Sequence, residues 1–233
     1  MDWKTLTTAL FGSADLLTLD GDFLHGTAAL DEEPLTVVGT TGHAPIGVRL
    51  ALAQARVVLD TVARHPGRPI LLLIDTQGQQ LRRRDELLGI NRAMAHLGMA
   101  IDLARRRGHR VLGLVYDQAL SGGFITSGLI ADACDALPEA EIRVMRIPAM
   151  SRVTKLPEDL LTALSRSNPV FAPGVENYVA MGGVRRLWTG DLREALRRAL
   201  AETTVEDRRA IDGAERGGRR LAASVMQRVL DAS

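Results

Sequence analysis

The sequence predicts an α/β fold with largely parallel strands, closed by a helical C-terminal tail. Pro69-Ile70-Leu71-Leu72-Leu73-Ile74-Asp75 and Val111-Leu112-Gly113-Leu114-Val115 are short apolar runs bounded by turn signals. That is how strands covered on both faces read. Helical stretches alternate with these runs, the order of a parallel sheet with crossover helices. A chain of 233 residues, 46% hydrophobic and 24% charged, is also long enough to bury one large core.

Taken in order, the N-terminal stretch alternates strand-like runs with turns. Leu16 to Leu19 leads into Asp20-Gly21, a hairpin dipeptide, and Leu35 to Gly39 is a β-branched strand. After Pro45, Ile46, Val48, Leu50, Leu52, Val57, Val58 and Leu59 mark a buried helix to about His65, ended by Pro66-Gly67 and Pro69. The apolar strand follows. A helix then runs from Asp85 to Arg107, with Leu87, Leu88, Ile90, Met94, Leu97, Met99, Ile101 and Leu103 facing inward, and Gly108 stops it with a left-handed cap. Val111 to Val115 is the next strand, Ala119 to Gly123 a turn, and Phe124 to Ala131 a short helix. Ile142 to Ile147 reads as another strand, with helices over Pro157 to Ser165 and Asp191 to Glu202. From Thr203 the chain is polar and helical, interrupted at Gly213 and Gly217-Gly218. The expected organisation is one domain over 1–202 with a tail over 203–233.

Composition excludes several classes of function. Lys plus Arg number 29 against 28 Asp plus Glu, a net charge of +1 that argues against a dominant nucleic-acid surface. Aromatic residues at 3% are too few for base-stacking platforms. No apolar run approaches the roughly 20 residues that span a bilayer. MDWKTLTTAL lacks the basic-then-apolar layout of a signal peptide, so a cytoplasmic location is expected. Cys134 is alone, which precludes an internal disulfide. The five histidines are scattered without an i, i+4 partner or an acidic neighbour in sequence, so no metal is expected.

Two strand ends carry the candidate chemistry: Ile74-Asp75-Thr76-Gln77-Gly78-Gln79 and Ser121-Gly122-Gly123-Phe124. A glycine-containing turn that opens a helix exposes main-chain N–H groups with no intrahelical partner, and the helix dipole favours negative charge there. Such a turn can bind an anion or a developing oxyanion, although a glycine cluster after a strand can equally just make the bend. Gly39-Thr40-Thr41-Gly42-His43 lacks the spacing of a nucleotide-binding fingerprint. Ser121 has no G-x-S-x-G elbow around it. Asp75 at a strand end has a catalytic reading, but reads first as a turn cap. Arg82-Arg83-Arg84 and Arg105-Arg106-Arg107 read as solvated helix ends, with a docking surface for an acidic protein as the alternative.

The strand ending Asp75-Thr76-Gln77-Gly78, the long helix, and the second strand ending Ser121-Gly122-Gly123 with Ala131-Asp132 after it resemble the carboxyltransferase halves of the crotonase superfamily. Gly39 to Ala55, the DTQGQ turn, and Val175-Glu176-Asn177-Tyr178 leading to Met181-Gly182-Gly183-Val184 resemble the gamma subunits of biotin-independent malonate decarboxylases. The resemblance spans roughly residues 35 to 190. It implies a ββα superhelix and an active site shared with a homologous beta-type subunit. There malonyl-S-acyl carrier protein would lose CO2 to become acetyl-S-acyl carrier protein.

By position, the resemblance makes Gly122, Gly123 and Gly78 the oxyanion-hole candidates, with Gln77, Ser121 and Phe124 as their substrate-side neighbours. Phe124 stands where relatives have a small residue and is expected to narrow the pocket. Arg82, Arg83 and Arg84 become candidates for docking an acidic carrier protein. The chain itself is expected to bind no cofactor, the substrate arriving on the CoA-like arm of the carrier. Two rivals are half of a biotin-dependent acyl-CoA carboxyltransferase and a catalytically silent scaffold that recruits the carrier.

Overall fold

The computed structural model describes residues 1–165, 174–204 and 206–232. Its centre is an eight-stranded sheet: β1 (Leu17–Asp20), β2 (Phe23–Leu30), β3 (Glu33–Thr40), β4 (Ala44–Ile46), β5 (Ile70–Gln79), β6 (Val111–Leu120), β7 (Ala133–Ala136) and β8 (Glu141–Arg143). The order is β1-β2-β3-β5-β6-β7. β1 to β3 pair antiparallel, and β3, β5, β6 and β7 pair parallel. Strands β5 and β6 are long enough to serve twice. Their first halves lie between β3 and β7, and beyond an irregularity at Ile74/Thr76 their second halves pair with β4 and β8.

Helices cover both faces of this sheet. Leu71, Leu73, Leu112 and Leu114 face α1 (Trp3–Phe11) and α9 (Leu192–Glu202), burying Leu6, Leu10, Leu196 and Leu200. Their neighbours Ile70, Leu72 and Val111 face α2 (Val48–Arg64) and α4 (Ile90–Arg106), burying Ala55, Val58, Leu97 and Ile101. Strand alternation sends successive residues to opposite sides, so a strand with helices on both sides must be apolar throughout. Each fully buried aliphatic side chain contributes about 1.5–3 kcal/mol.

Several expectations change here. The N-terminus is helical: Asp2 caps α1 by accepting from the N–H groups of Lys4 and Thr5, and Gly12 ends it at φ 86°. β2, β4 and β7 are strands the sequence pattern did not disclose, and Ile46, expected on the helix, ends β4 paired with Gln79, the helix starting only after Gly47. The long helix is two, α3 (Arg83–Leu87) and α4, separated at Leu88-Gly89. Leu87 and Leu88 precede that break and are 77% and 60% exposed. Met99 lies about two and a half turns on from Ile90, opposite the buried stripe, and is 68% exposed. Leu103 is exposed as well. The strand expected over Ile142 to Ile147 stops at Arg143, and Ile147 opens α6 (Ile147–Thr154).

Beyond the sheet come α7 (Glu158–Ser165), α8 (Val175–Ala180), α10 (Arg209–Glu215) and α11 (Ala222–Asp231). α10 packs on the same chain. Gly213 and Gly218 lie so close to Met181 and Ala180 that a Cβ at either position would collide with main-chain atoms. Arg209 and Arg216 donate to the carbonyls of Leu129, Val179 and Val184. α11, by contrast, buries no residue. No described helix is long and apolar enough to cross a membrane.

Candidate functional site

The two glycine turns meet. β5 and β6 run side by side, with Thr76 opposite Ala119, so their ends arrive together. Gly78 has φ of 100°, and a Cβ there would come within 2.9 Å of Ser121 Cβ and 3.0 Å of the Leu120 carbonyl oxygen. A Cβ on Gly123 would lie 2.8 Å from Gly78 Cα. Contacts this short admit only glycine at both positions, so main chain packs on main chain.

Hydrogen bonds separate the roles of the three glycines. The Gly78 N–H donates to Thr76 Oγ1 at 3.0 Å, and that hydroxyl donates to the Ala44 carbonyl at 2.6 Å. Gly78 is therefore already engaged. What the structure shows of Gly78 is close approach of main chain to main chain, with its N–H held by Thr76. α5 (Ser121–Phe124) opens without a capping side chain. The first-turn N–H groups of a helix, here including those of Gly122 and Gly123, have no intrahelical partner.

α5 runs straight into a π-helical segment, Ile125–Leu129. There Thr126 Oγ1 and Ser127 Oγ donate to the carbonyl of Gly123, the latter at 2.6 Å, and Thr126 also reaches the carbonyl of Gly122. These hydroxyls fix the orientation of the turn's peptides.

The flanking residues divide. Gln77 is exposed and Ser121 is half-buried at φ 55°, its Oγ 3.2 Å from Gln79 Oε1. Phe124 is 2% exposed. Its ring packs edge-on to Tyr178 and against Gly128, so it shapes the turn from beneath rather than lining open space.

A second constellation joins the same two strands to the link between β3 and β4. His43 donates its main-chain N–H to Asp75 Oδ2 at 2.9 Å, and its Nε2 lies 3.7 Å from Asp75 Oδ1 and 3.5 Å from Asp117 Oδ1. Asp75 thus caps the turn at Gly42-His43 rather than its own. Burial raises the Asp75 pKa above the ordinary carboxylate value; the main-chain N–H and the charge of His43 pull it back, and the Asp117 charge adds to the rise. The sequence reading missed this group because its members are far apart along the chain. Thr40, whose hydroxyl accepts from the Asp75 N–H and whose carbonyl accepts from Tyr116, braces it.

The sequence model of the malonate decarboxylase gamma subunit family matches residues 41–233. The chain belongs to that family. A relative from Malonomonas rubra, the malonyl-S-ACP:biotin-protein carboxyltransferase MADD, is 30% identical over 241 residues, covering 94% of this chain and 80% of the relative. A Pseudomonas malonate decarboxylase hetero-tetramer in complex with coenzyme A contains a chain 26% identical to this one, with a TM-score of 0.80 and 97% of both chains covered. The Pseudomonas MdcD-MdcE hetero-dimer gives 26% identity and a TM-score of 0.77 over 98% of both. Transcarboxylase 12S, at 18% identity and a TM-score of 0.66, covers 78% of this chain and 35% of its own, and shares the fold. The architecture is that of the crotonase-like carboxyltransferases.

In this member of the family one arginine run lies at the start of α3 and the other at the end of α4. Arg82, Arg83 and Arg84 are exposed, with no ion pair among the described residues. Beside them Asp85 Oδ1 accepts from the Val48 N–H at 2.9 Å, capping α2 and anchoring the arginine-bearing turn to the core. Arg105 instead clamps Asp132, with Nε 2.6 Å from Oδ1, while Asp132 Oδ2 accepts from the Val111 N–H. The aspartate after the second turn is therefore a structural clamp on β6.

Proposed function

We propose that this chain is the gamma-type half of a malonyl-thioester decarboxylase, which with a homologous beta-type subunit converts malonyl-S-acyl carrier protein to acetyl-S-acyl carrier protein and CO2. The observation that carries this reading is the main-chain contact of the Gly78 and Gly123 turns at the ends of adjacent strands, in a chain of this family. Decarboxylation breaks the bond between the carboxylate and the α-carbon. The electron pair passes into the enolate of the thioester, CO2 leaves, and a proton adds to the α-carbon. Gly122 and Gly123 supply N–H donors to the oxygen that gains charge; one such donor is worth about 2.7–4 kcal/mol in the transition state. Gly78 lets the turns close on one another, and Gln77 and Ser121 lie at their rim.

The chain binds no cofactor in this mechanism, since the thioester arrives on the carrier's CoA-like arm. Arg82, Arg83 and Arg84 meet the acidic carrier, complementary charge raising the encounter rate. Exposed Leu81, Leu87, Leu88 and Ile125 add an apolar surface that a homologous subunit would remove from water. Support for a two-subunit arrangement comes from the Pseudomonas relatives, which were solved as a hetero-dimer and a hetero-tetramer.

The test is CO2 release from malonyl-S-carrier by this chain alone, by the beta-type subunit alone and by both co-expressed, each with and without avidin. Activity confined to the pair and indifferent to avidin is the expected outcome. Activity abolished by avidin would favour a second reading, a biotin-linked carboxyltransferase half, the activity described for the Malonomonas rubra relative. A scaffold role is separated by Gly122→Val. A Cβ at Gly122 meets only the flexible end of Gln79, at 3.1 Å, and assembly is measured alongside turnover. An oxyanion hole would lose turnover with the complex still assembled, whereas a scaffold would not.

A further inference from the structure

Residues 41–43 join β3 to β4 across the place where the sheet divides. Gly42 and His43 both have positive φ, 68° and 52°. This double left-handed bend turns the His43 main chain onto one oxygen of Asp75 and its ring toward the other. Asp75 Oδ1 is buried and has no hydrogen-bond partner. The Asp75 side chain is 4% exposed, so water does not provide one freely. The second oxygen is tied to the His43 N–H, which fixes the direction in which the free one points.

The separations around that oxygen are informative. Nε2 of His43 is 3.7 Å from Asp75 Oδ1 and 3.5 Å from Asp117 Oδ1. Both are too long for hydrogen bonds. Both are close to the roughly 3.4 Å between two ligand atoms bound at about 2.1 Å to one tetrahedral ion. All three ligand atoms lie within 4.8 Å of one another. Asp117, 42% exposed, can rotate to close the widest gap, and His43, 49% exposed, leaves an entry path. One imidazole and two carboxylates form a borderline-to-hard donor set.

We propose that His43, Asp75 and Asp117 form a divalent-metal site, taking a Zn2+-class ion through Nε2 and one oxygen of each carboxylate, with water completing its shell. The ion ties the bend at 41–43 to β5 and β6, the strands that carry the glycine turns. Asp75 precedes Gly78 by three residues and Asp117 precedes Ser121 by four, about 10–13 Å of extended strand. The ion therefore steadies the strands and does not ligate a thioester held at the turns, and its existence is independent of the decarboxylase reading.

The test uses the tag-free full-length chain after treatment with a chelator. Zn2+ uptake is followed by calorimetry and Co2+ uptake by visible absorption, for the wild type, His43→Asn and Asp117→Asn. Asparagine tolerates the left-handed backbone at 43, and Asp117 is far enough into solvent to be changed without disturbing the core. The expected result is one saturable equivalent in the wild type, with ligand-field bands from Co2+ and a Zn2+-dependent rise in Tm. Both variants should bind at least ~10–100-fold more weakly, the loss typical even of outer-shell partners. No saturable uptake by the wild type, or wild-type affinity in either variant, would overturn the site.

Discussion

Arg82-Arg83-Arg84 and Arg105-Arg106-Arg107 are the same string, yet they meet opposite conditions. The first run lies at the start of α3 with all three side chains exposed. The second lies at the end of α4, where Arg105 is 16% exposed, paired with the buried Asp132 and donating to the Ile130 carbonyl, and Arg106 pairs with Asp102 one turn back. What separates them is the neighbour that the fold supplies rather than the charge itself. A guanidinium facing a buried carboxylate is part of the architecture; one facing water is available to something else.

The sharpest way to break this contrast is Arg105→Ala. It strands the Asp132 carboxylate in the core, and losing one partner of a buried pair costs about 3–5 kcal/mol. Urea unfolding of the full chain should show that loss, and a change below about 1 kcal/mol would place Arg105 with the solvated arginines. Reversing Arg82, Arg83 and Arg84 to Glu should leave unfolding nearly untouched, within about 0.5 kcal/mol for each exposed site. Its effect should appear in association with the acidic carrier, slowed at least ~10-fold at low salt and much less at high salt. Equal association rates for wild type and variant would remove the docking role.

A third arginine tests the ground between these extremes. Arg209 ties α10 to the Leu129 carbonyl and pairs with Asp207, holding the Asp207 pKa down at about 2. A carboxylate whose folded pKa is depressed stabilises above its ordinary value of 3.8 and loses that contribution as pH falls toward 2. Asp207 is mostly solvent-facing, so the contribution is small. Proteolysis of the tail should nonetheless rise more steeply across that window in the wild type than in Asp207→Asn. The smallest effect belongs to Arg106→Ala. It removes only an exposed i, i+4 pair with Asp102, for about 0.3–0.5 kcal/mol by thermal unfolding.

The same contrast explains what the sequence could disclose. β5, β6 and the buried stripe of α4 were legible because burial on two faces leaves a local, periodic record. Met99 and Leu103 were misassigned because an apolar residue on an exposed face looks the same as one on a buried face until the partner surface is known. Leu87 and Leu88 failed for a different reason, the break at Gly89 that resets the helical phase. The glycine turns were legible as turns, but the Thr76 hydroxyl that occupies the Gly78 N–H was not. His43, Asp75 and Asp117 were invisible, since the bond that joins the first two spans 32 residues and follows only from the left-handed bend at 42–43.

The double service of β5 and β6 has a consequence for motion at the turns. Each strand is flanked on both sides for most of its length, first by β3 and β7 and then by β4 and β8. Releasing a main-chain N–H that is bonded to a neighbouring strand therefore requires parting neighbours from the whole sheet. Amide hydrogens over residues 70–74 and 111–115 should be the slowest in the molecule to exchange with deuterium, opening only with global unfolding. Gly78 and Gly123 are mounted at the ends of the least yielding part of the chain, so their spacing is set by the fold as a whole and not by a loop free to adjust.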